Sequence, residues 1–153
     1  MNEVIDMTLT EKLATIPGLT QDLEHWASYE VYTAEDLERY LLETTIWDMY
    51  KEVHGIRPRF MDMSSMSIKE LEAEIDSLDK QLTEVIAREK AAQAESITAF
   101  EKHVVNTICM GAGNRETALR WIMDGSEAGG DWEYFSYLHG LPYSYFKTMQ
   151  VAA

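Results

Sequence analysis

The chain has 153 residues, of which 27 are Asp or Glu and 13 are Lys or Arg, so its formal net charge is −14. With 46% apolar residues, a chain of this length can bury a hydrophobic core, which argues against intrinsic disorder. Because Lys and Arg must neutralise a phosphate backbone, the acidic balance argues against direct binding of nucleic acid. We expect a single α-helical domain over 1–153, which could subdivide at 111–130.

The cysteine count and the N-terminal sequence narrow the class of protein further. Cys109 is the only cysteine, so no internal disulfide can form, and we interpret it as a small buried hydrophobe. The N-terminus is acidic and lacks the pattern of a signal peptide, and every stretch of 18 residues contains charge. The sequence therefore predicts a cytoplasmic protein that does not contact the membrane.

Helical periodicity dominates the N-terminal part, and the alternation typical of strands is scarce. Short helices are predicted over Thr8–Ile16 and around Gln21–Ser28. A longer helix is predicted over 34–54, where apolar residues cover more than one face. Thr33 can cap its first turn, and Gly55 can end it in the left-handed conformation.

A long central helix is predicted over about 67–110. Ser67 and Glu70 form a capping box at its start, and no Gly or Pro occurs between Ser67 and Met110. Apolar residues repeat as an a/d seam in its first part, at Ile68, Leu71, Ile75, Leu78, Leu82 and Val85. At roughly 60 Å, such a helix is longer than a compact domain of this size. We expect it to be continuous or gently kinked and to form a homo-oligomer through the seam. A hairpin broken near residues 88–96 is the alternative.

Shorter helices are predicted after the long one. Asn114 and Asp131 can each cap a helix, the second over 132–139, and Pro142 suits the first turn of a last helix ending near Gln150. Seven aromatic residues fall between positions 132 and 146, at Trp132, Tyr134, Phe135, Tyr137, Tyr143, Tyr145 and Phe146. The predicted fold class is all-α, a helical bundle with one long central helix and short, aromatic-rich C-terminal helices.

Motifs for metal binding or catalysis are missing from the sequence. It lacks the Glu-x-x-His, His-Glu-x-x-His and Cys-x-x-Cys patterns of metal sites, and it lacks the Gly-x-Ser-x-Gly and P-loop motifs. Gly111-Ala112-Gly113 is a fragment of a dinucleotide fingerprint, and without a preceding strand we interpret it as a helix stop. We expect no metal, no cofactor and no catalytic residue, and therefore a protein that is not an enzyme.

The segment from Tyr50 to Phe60 is the first candidate binding site. Arg57 and Arg59 flank a proline, which presents two guanidinium groups close together in a chain short of positive charge. Such a pair can bind a carboxylate or a phosphate, with Tyr50 and His54 as neighbouring groups. The alternative is that the two arginines lock their loop by pairing with the chain's own carboxylates.

The aromatic C-terminal part is the second candidate. Trp and Tyr are favoured anchors of protein interfaces, so this part could form a recognition surface. The candidate residues are Trp132, Tyr134, Tyr137, His139 and Tyr143. The alternative is that they pack a C-terminal pair of helices onto the core.

The same Tyr-Lys-Glu-Val-His-Gly-Ile-Arg-Pro-Arg segment closes one helix and precedes a loop containing Met and Ser and then an acidic capped helix. In this arrangement, over roughly residues 45–80, the chain resembles uncharacterised small accessory proteins of tailed bacteriophages. The resemblance implies expression in an infected bacterial host cell. It implies nothing about catalytic residues.

We therefore expect a non-enzymatic phage accessory protein that binds and modulates another protein, such as a host or defence enzyme. One alternative is a sequestering protein that binds a small ligand or nucleotide through Arg57 and Arg59. Another is a DNA mimic, although Lys and Arg are interspersed among its carboxylates. The carboxylates that would imitate phosphates include Glu70, Glu72, Glu74 and Asp76.

Overall fold

The computed structural model describes residues 7–147, and within this range it contains six α-helices, one π-helical turn and no strand. The helices are α1 (Leu9–Thr15), α2 (Leu23–Ala27), α3 (Ala34–His54), α4 (Ile68–Thr107), α5 (Arg115–Asp124) and α6 (Trp132–Leu138), and the π-helical turn is Ile108–Ala112. The predicted all-α class, with one long central helix and short C-terminal helices, is confirmed.

The chain divides into two compact units, unit 1 (Met1–Val85) and unit 2 (Ile86–Ala153). The division falls inside α4, where no Gly, Pro or change of secondary structure marks it. The stretch 111–130, where the sequence suggested a subdivision, lies within unit 2.

Local capping fixes the start of α3 as its sequence predicts. The hydroxyl of Thr33 accepts a hydrogen bond from the backbone N–H of Asp36 at 3.0 Å, and the Asp36 carboxylate accepts one from the N–H of Thr33 at 2.9 Å. At the other end, Gly55 has a φ of +77°, a conformation that ends a helix at little cost only in glycine. The bounds of α3 therefore agree with the predicted 34–54.

Two buried clusters form the core of unit 1. The first joins α1, α2 and the start of α3 around Trp26, whose indole N–H donates to the carbonyl of Thr20 at 2.8 Å. Its buried members are Leu9, Leu13, Trp26, Val31 and Leu37. The second packs α3 against the first part of α4 and the intervening loop, and its buried members are Ile46, Met63, Leu71 and Leu78.

The second cluster changes the interpretation of the a/d seam. Leu71 and Leu78 are fully buried in the same cluster as Ile46 of α3, so they cannot contact a second copy while unit 1 is folded. The first part of the seam faces α3 because α3 is apolar on more than one side and supplies the required partner surface. Self-association stays a prediction, and it would have to use the half-buried seam residues, which are Ile68, Ile75, Leu82 and Val85.

α4 is unbroken from Ile68 to Thr107, which confirms a continuous helix and rules out a hairpin at 88–96. All ten residues from 86 to 95 are exposed. Within residues 7–147, no helix combines the length and the apolar character that crossing a bilayer requires.

The end of α4 differs from the predicted simple stop. The helix widens into the π-helical turn Ile108–Ala112. Gly111, inside this turn, has a φ of +129°, and Gly113, directly after it, has a φ of +78°. The wider turn changes the direction in which its side chains point. Cys109 is exposed there, so its interpretation as a buried hydrophobe was wrong.

Unit 2 is built around a cluster of aromatic rings. Phe100 of α4 packs edge-on against Phe135 of α6 and Phe146, with ring centroids 5.8 Å apart in both pairs. Val104, Leu119 and Leu141 are among the other buried residues of this core. The chain after α6 therefore folds back onto α4 and α5.

An ion pair fastens the rim of this core. The guanidinium of Arg115 donates to both carboxylate oxygens of Glu101, at 2.5 and 2.8 Å, and the hydroxyl of Tyr145 donates to the same carboxylate. The Arg115 guanidinium, assisted by Tyr145, holds the pKa of Glu101 below its ordinary value of 4.5. The carboxylate of Glu101 on α4 therefore binds both the start of α5 and the C-terminal segment.

The last predicted helix is only partly within the described range. Residues 143–146 form turns, and Pro142 precedes them as an irregular residue, so the helix does not begin at Pro142. The backbone N–H of Tyr145 donates to the carbonyl of Pro142 at 2.9 Å, which closes the first of these turns. The turn therefore provides the hydrogen bond between these two backbone groups. The part of the prediction from residue 148 to Gln150 lies outside the described residues.

Gly140 provides the first test of the fold. Its φ is +65°, and a Cβ at this position would lie 2.8 Å from Oγ of Ser96. We expect Gly140→Ala to destabilise unit 2 by about 1–3 kcal/mol in urea unfolding. Gly129→Ala is the matched control, because Gly129 has a φ of +59° and open space around it. Equal losses in the two variants would show that the approach to Ser96 contributes nothing.

Candidate functional site

Metal binding is the simplest function to examine. Among residues 7–147, no group of three or more His, Cys, Asp or Glu side chains is placed to hold a metal ion. The candidate sites are therefore surfaces: the loop around Arg57 in unit 1, and the outer face and a groove of unit 2.

The loop after α3 presents its two arginines from an anchored proline. Pro58 is fully buried, whereas Arg57 and Arg59 are exposed. The N–H of Arg59 donates to the carbonyl of Arg57 at 2.9 Å, which closes a three-residue turn around the proline. The predicted presentation of two guanidinium groups from one short turn is therefore present.

A different arginine holds this loop in place. Arg39 of α3 pairs with Glu43 at 3.2 Å and also donates to the carbonyls of Met63, at 3.1 Å, and Met66. Within the described range, neither Arg57 nor Arg59 forms an ion pair. The structure therefore gives no support to the alternative in which these two arginines lock the loop. Sequence reasoning missed Arg39 because its partners are backbone carbonyls 24 and 27 residues away.

Aromatic rings occur in the same segment as the two arginines, at the end of α3 and at Phe60. The rings of Tyr50 and His54 have centroids 4.2 Å apart, and Phe60 meets Tyr50 edge-on at 5.8 Å. His54 and Phe60 are exposed, and Tyr50 is half-buried. We call Tyr50, His54, Arg57, Arg59 and Phe60 the arginine patch. It combines two guanidinium groups with stacking surfaces.

The structure separates the predicted aromatic site of unit 2 into two sets. Trp132 and His139 are half-buried against the core, where both rings contact Phe135, at 5.5 and 4.6 Å. Tyr134, Tyr137 and Tyr143 are exposed. Both readings of the sequence therefore apply, each to a different part of the set.

The exposed residues of α6 form one stripe. Tyr134, Tyr137 and Leu138 are spaced three and four apart and share a helical face, while Phe135 and Ser136 are buried on the opposite side. The two tyrosine rings stack with their centroids 6.2 Å apart and an angle of 15° between their planes. We call Tyr134, Tyr137 and Leu138 the aromatic stripe.

Tyr143 is exposed but engaged by charged neighbours. The neighbouring Glu133 carboxylate raises the pKa of that tyrosine above its ordinary value. The ammonium of Lys147 lies 5.1 Å from the centre of its ring, within the range of a cation–π interaction. Tyr143 therefore has local partners that the aromatic stripe lacks.

A groove of about 480 Å³ opens next to Leu138 of the stripe. It is lined by His103, Thr107, Trp121, Ile122, Gly125, Ser126, Glu127, Leu138 and His139. Of these residues only His139 was a candidate from the sequence. Trp121, which is almost half exposed, was not among the candidates. The helical register of α5 alone could not show which side chains the fold would leave uncovered.

The histidine of this groove predicts a pH dependence of stability. Burial, and then the neighbouring His103, lower the pKa of His139 from its ordinary value of 6.5, and Glu127 is the other ionisable group lining the groove. The unfolded chain therefore takes up this proton more readily than the folded one. The contribution is fully present above pH 6.5 and is lost as the pH falls from 6.5 through the lowered pKa.

We expect the free energy of unfolding of unit 2 to decline between pH 7 and pH 5 and the decline to shrink in His139→Phe. Phenylalanine keeps the ring contacts of His139 and removes its proton uptake. Urea titrations at several pH values measure both slopes. Glu101 contributes equally in the wild type and in His139→Phe, and its lowered pKa matters mainly as the pH falls towards 4.5 and below. An unchanged slope in His139→Phe would contradict this assignment.

The carboxylates at the start of α4 form no single row that would imitate DNA phosphates. Glu70 is held in the predicted capping box, where its carboxylate accepts from the N–H of Ser67 at 2.7 Å. At 100° per residue, Glu70 and Glu74 lie on one side of the helix, while Glu72 and Asp76 lie on another. The spacing therefore adds no structural support to mimicry.

Comparison with known proteins gives this chain no relative. It matches no protein-family model, no curated protein and no solved structure. Its geometry is the remaining guide to function.

Proposed function

We propose that this chain is a non-enzymatic accessory protein that binds another protein through the aromatic stripe of unit 2. The observation that carries the proposal is the exposure of Tyr134, Tyr137 and Leu138 on one face of a helix whose other face is already packed. Tyrosine supplies a large, rigid contact area and a hydroxyl, and for this reason it is enriched among the residues that dominate interface energies.

The class of partner is part of the same proposal. The resemblance of residues 45–80 to phage accessory proteins supports an infected bacterial cell as the setting. A host or defence enzyme whose activity is modulated by binding is then the partner class. The net charge of −14 supports a partner with a basic surface, because opposite charges speed association.

Site-specific photo-crosslinking tests the proposal. A benzophenone amino acid is placed at position 137, and the chain is produced in bacteria by infection or by expression. Irradiation should then give one discrete crosslinked protein. The same amino acid at position 32 is the control, because Tyr32 is similarly exposed but belongs to unit 1. A Tyr134→Ser substitution should reduce the product from position 137. Identical products from both positions, or none from 137, would overturn the proposal.

The arginine patch supports a second candidate function, the binding of an anionic small ligand such as a nucleotide. The specific observation is that Arg57 and Arg59 are exposed, in the same segment as the exposed rings of His54 and Phe60, and form no ion pair within residues 7–147. Two guanidinium groups can bind a phosphate, and a ring can stack on a base.

Thermal shift measurements with inorganic phosphate, ATP and GTP test this second function. A nucleotide should raise the melting temperature of the wild type but not of the Arg57→Ala/Arg59→Ala variant. Lys51→Ala is the matched control, because it removes a neighbouring exposed cation outside the patch. The same shift in the wild type and the double variant would remove the candidate.

A further inference from the structure

The groove of unit 2 has walls of a distinct chemistry. Trp121 and Leu138 expose apolar surface on its rim, and Glu127 places a carboxylate on the same lining. Both apolar side chains are more than a third exposed, at 47% and 40%. An indole, an aliphatic side chain and an acidic residue therefore line one open groove.

Among the residues that line the groove, Glu127 is the only Asp, Glu, Lys or Arg. From Trp121 to Phe146 the chain contains no Lys or Arg, and it contains four carboxylates, Asp124, Glu127, Asp131 and Glu133. None of the four forms an ion pair among the described residues. The part of the lining that comes from residues 121–139 therefore offers negative charge and no fixed cation.

His139 does not reverse this sign near neutral pH. Burial lowers the pKa of His139, so this ring resists taking up a proton in the groove. An anion would consequently find no stable positive charge on this part of the lining. A cation would find the carboxylate of Glu127 and the face of Trp121.

We infer that the groove receives a lysine or arginine side chain from a basic, apolar segment of the partner protein. The cation would sit against the indole of Trp121 and near the carboxylate of Glu127, while its aliphatic stem lies along Leu138. Apolar residues of the same segment would continue onto Tyr134 and Tyr137. The inference rests on the proposed function and specifies the partner segment by its charge and its apolar content.

Peptide titration of the full chain tests the inference with defined probes. Three peptides of about 12 residues share one arrangement of leucines. Their polar positions are all lysine in the first, all glutamine in the second and all glutamate in the third. Two-dimensional NMR follows the indole N–H of Trp121 and the amides of residues lining the groove. The leucine–lysine peptide should shift these signals and saturate, and the other two peptides should bind much more weakly.

Variants identify the groups that bind the cation. Glu127→Gln and Trp121→Leu should each weaken the leucine–lysine peptide by about two- to fivefold, the range expected for an exposed ion pair or cation–π contact. Trp121→Leu keeps apolar bulk at this position, and the dispersion of the core signals verifies that the variant is folded. Glu116→Gln is the control, because it removes an exposed carboxylate of α5 that does not line the groove.

The outcomes separate this inference from the proposed function. Equal affinity for the lysine and glutamine peptides, tighter binding of the glutamate peptide, or equal losses in Glu127→Gln and Glu116→Gln would overturn the inference. A specific crosslink at position 137 in the same chain would then still support protein binding through the aromatic stripe. Conversely, the lysine peptide could bind in the groove while position 137 gives no crosslink. That result would support a cation site in the groove and overturn the aromatic stripe as the docking surface.

Discussion

Phe135→Ala is expected to destabilise unit 2 by about 3–5 kcal/mol, the usual loss when a fully buried phenylalanine is truncated. Phe135 is completely buried and its ring contacts those of Phe100, Trp132, His139 and Phe146. Alanine would leave a cavity at the centre of this cluster. Hydrogen exchange at the buried amide of Leu119 measures the loss within unit 2.

Tyr137→Ala is the matched control, two residues away on the same helix. Tyr137 is 78% exposed, so its truncation should cost no more than about 0.5 kcal/mol. A comparable loss in the two variants would contradict the placement of Phe135 inside and Tyr137 outside. The control also shows that the aromatic stripe can be altered without unfolding the unit, which the crosslinking experiment requires.

Leu78→Ala should destabilise unit 1 by about 2–5 kcal/mol. Leu78 is fully buried together with Ile46 and Leu71, and this cluster holds α3 against α4. Exchange of the Ile46 amide provides the measurement. Ile86→Ala is the control on the same helix, because Ile86 is 55% exposed, and it should have little effect.

Self-association through the rest of the seam is a separate prediction. If copies of the chain pair through α4, Leu82→Glu/Val85→Glu should lower the mass measured by light scattering to that of a monomer. Both residues are half-buried, so circular dichroism must show that helix content is retained. An oligomer of unchanged mass in this variant would place the interface elsewhere, and a monomeric wild type would remove the prediction altogether.

Local sequence signals were enough to predict much of the fold. The capping boxes at Thr33 and Ser67, and the glycine at position 55, act through neighbouring residues, so the bounds they predict agree with the structure. The π-helical turn at Ile108–Ala112 was not predicted. The residues before the predicted stop at Gly111 would fit an ordinary helical turn equally well. Only the packing around it distinguishes the two.

The candidate sites were predictable as segments and not as surfaces. An aromatic residue in a short helix can face the core or the solvent. Without the register of α6, Trp132 could not be assigned to the core and Tyr137 to the solvent. The groove was missed for a related reason. Trp121 and Glu127 meet Leu138 only after α5 and α6 pack together, which is a long-range result of folding.

The exposed middle of α4 has a consequence for its composition. Between residues 86 and 95 no side chain is buried, so tertiary packing contributes nothing and only intrinsic helix propensity keeps this stretch wound. Alanine has the highest such propensity, and Ala87, Ala91, Ala92 and Ala94 occur here, where the a/d seam has ended. A single glycine or proline would be felt more strongly in this stretch than at any packed turn. Arg88 and Lys90 also make it the part of α4 most open to trypsin.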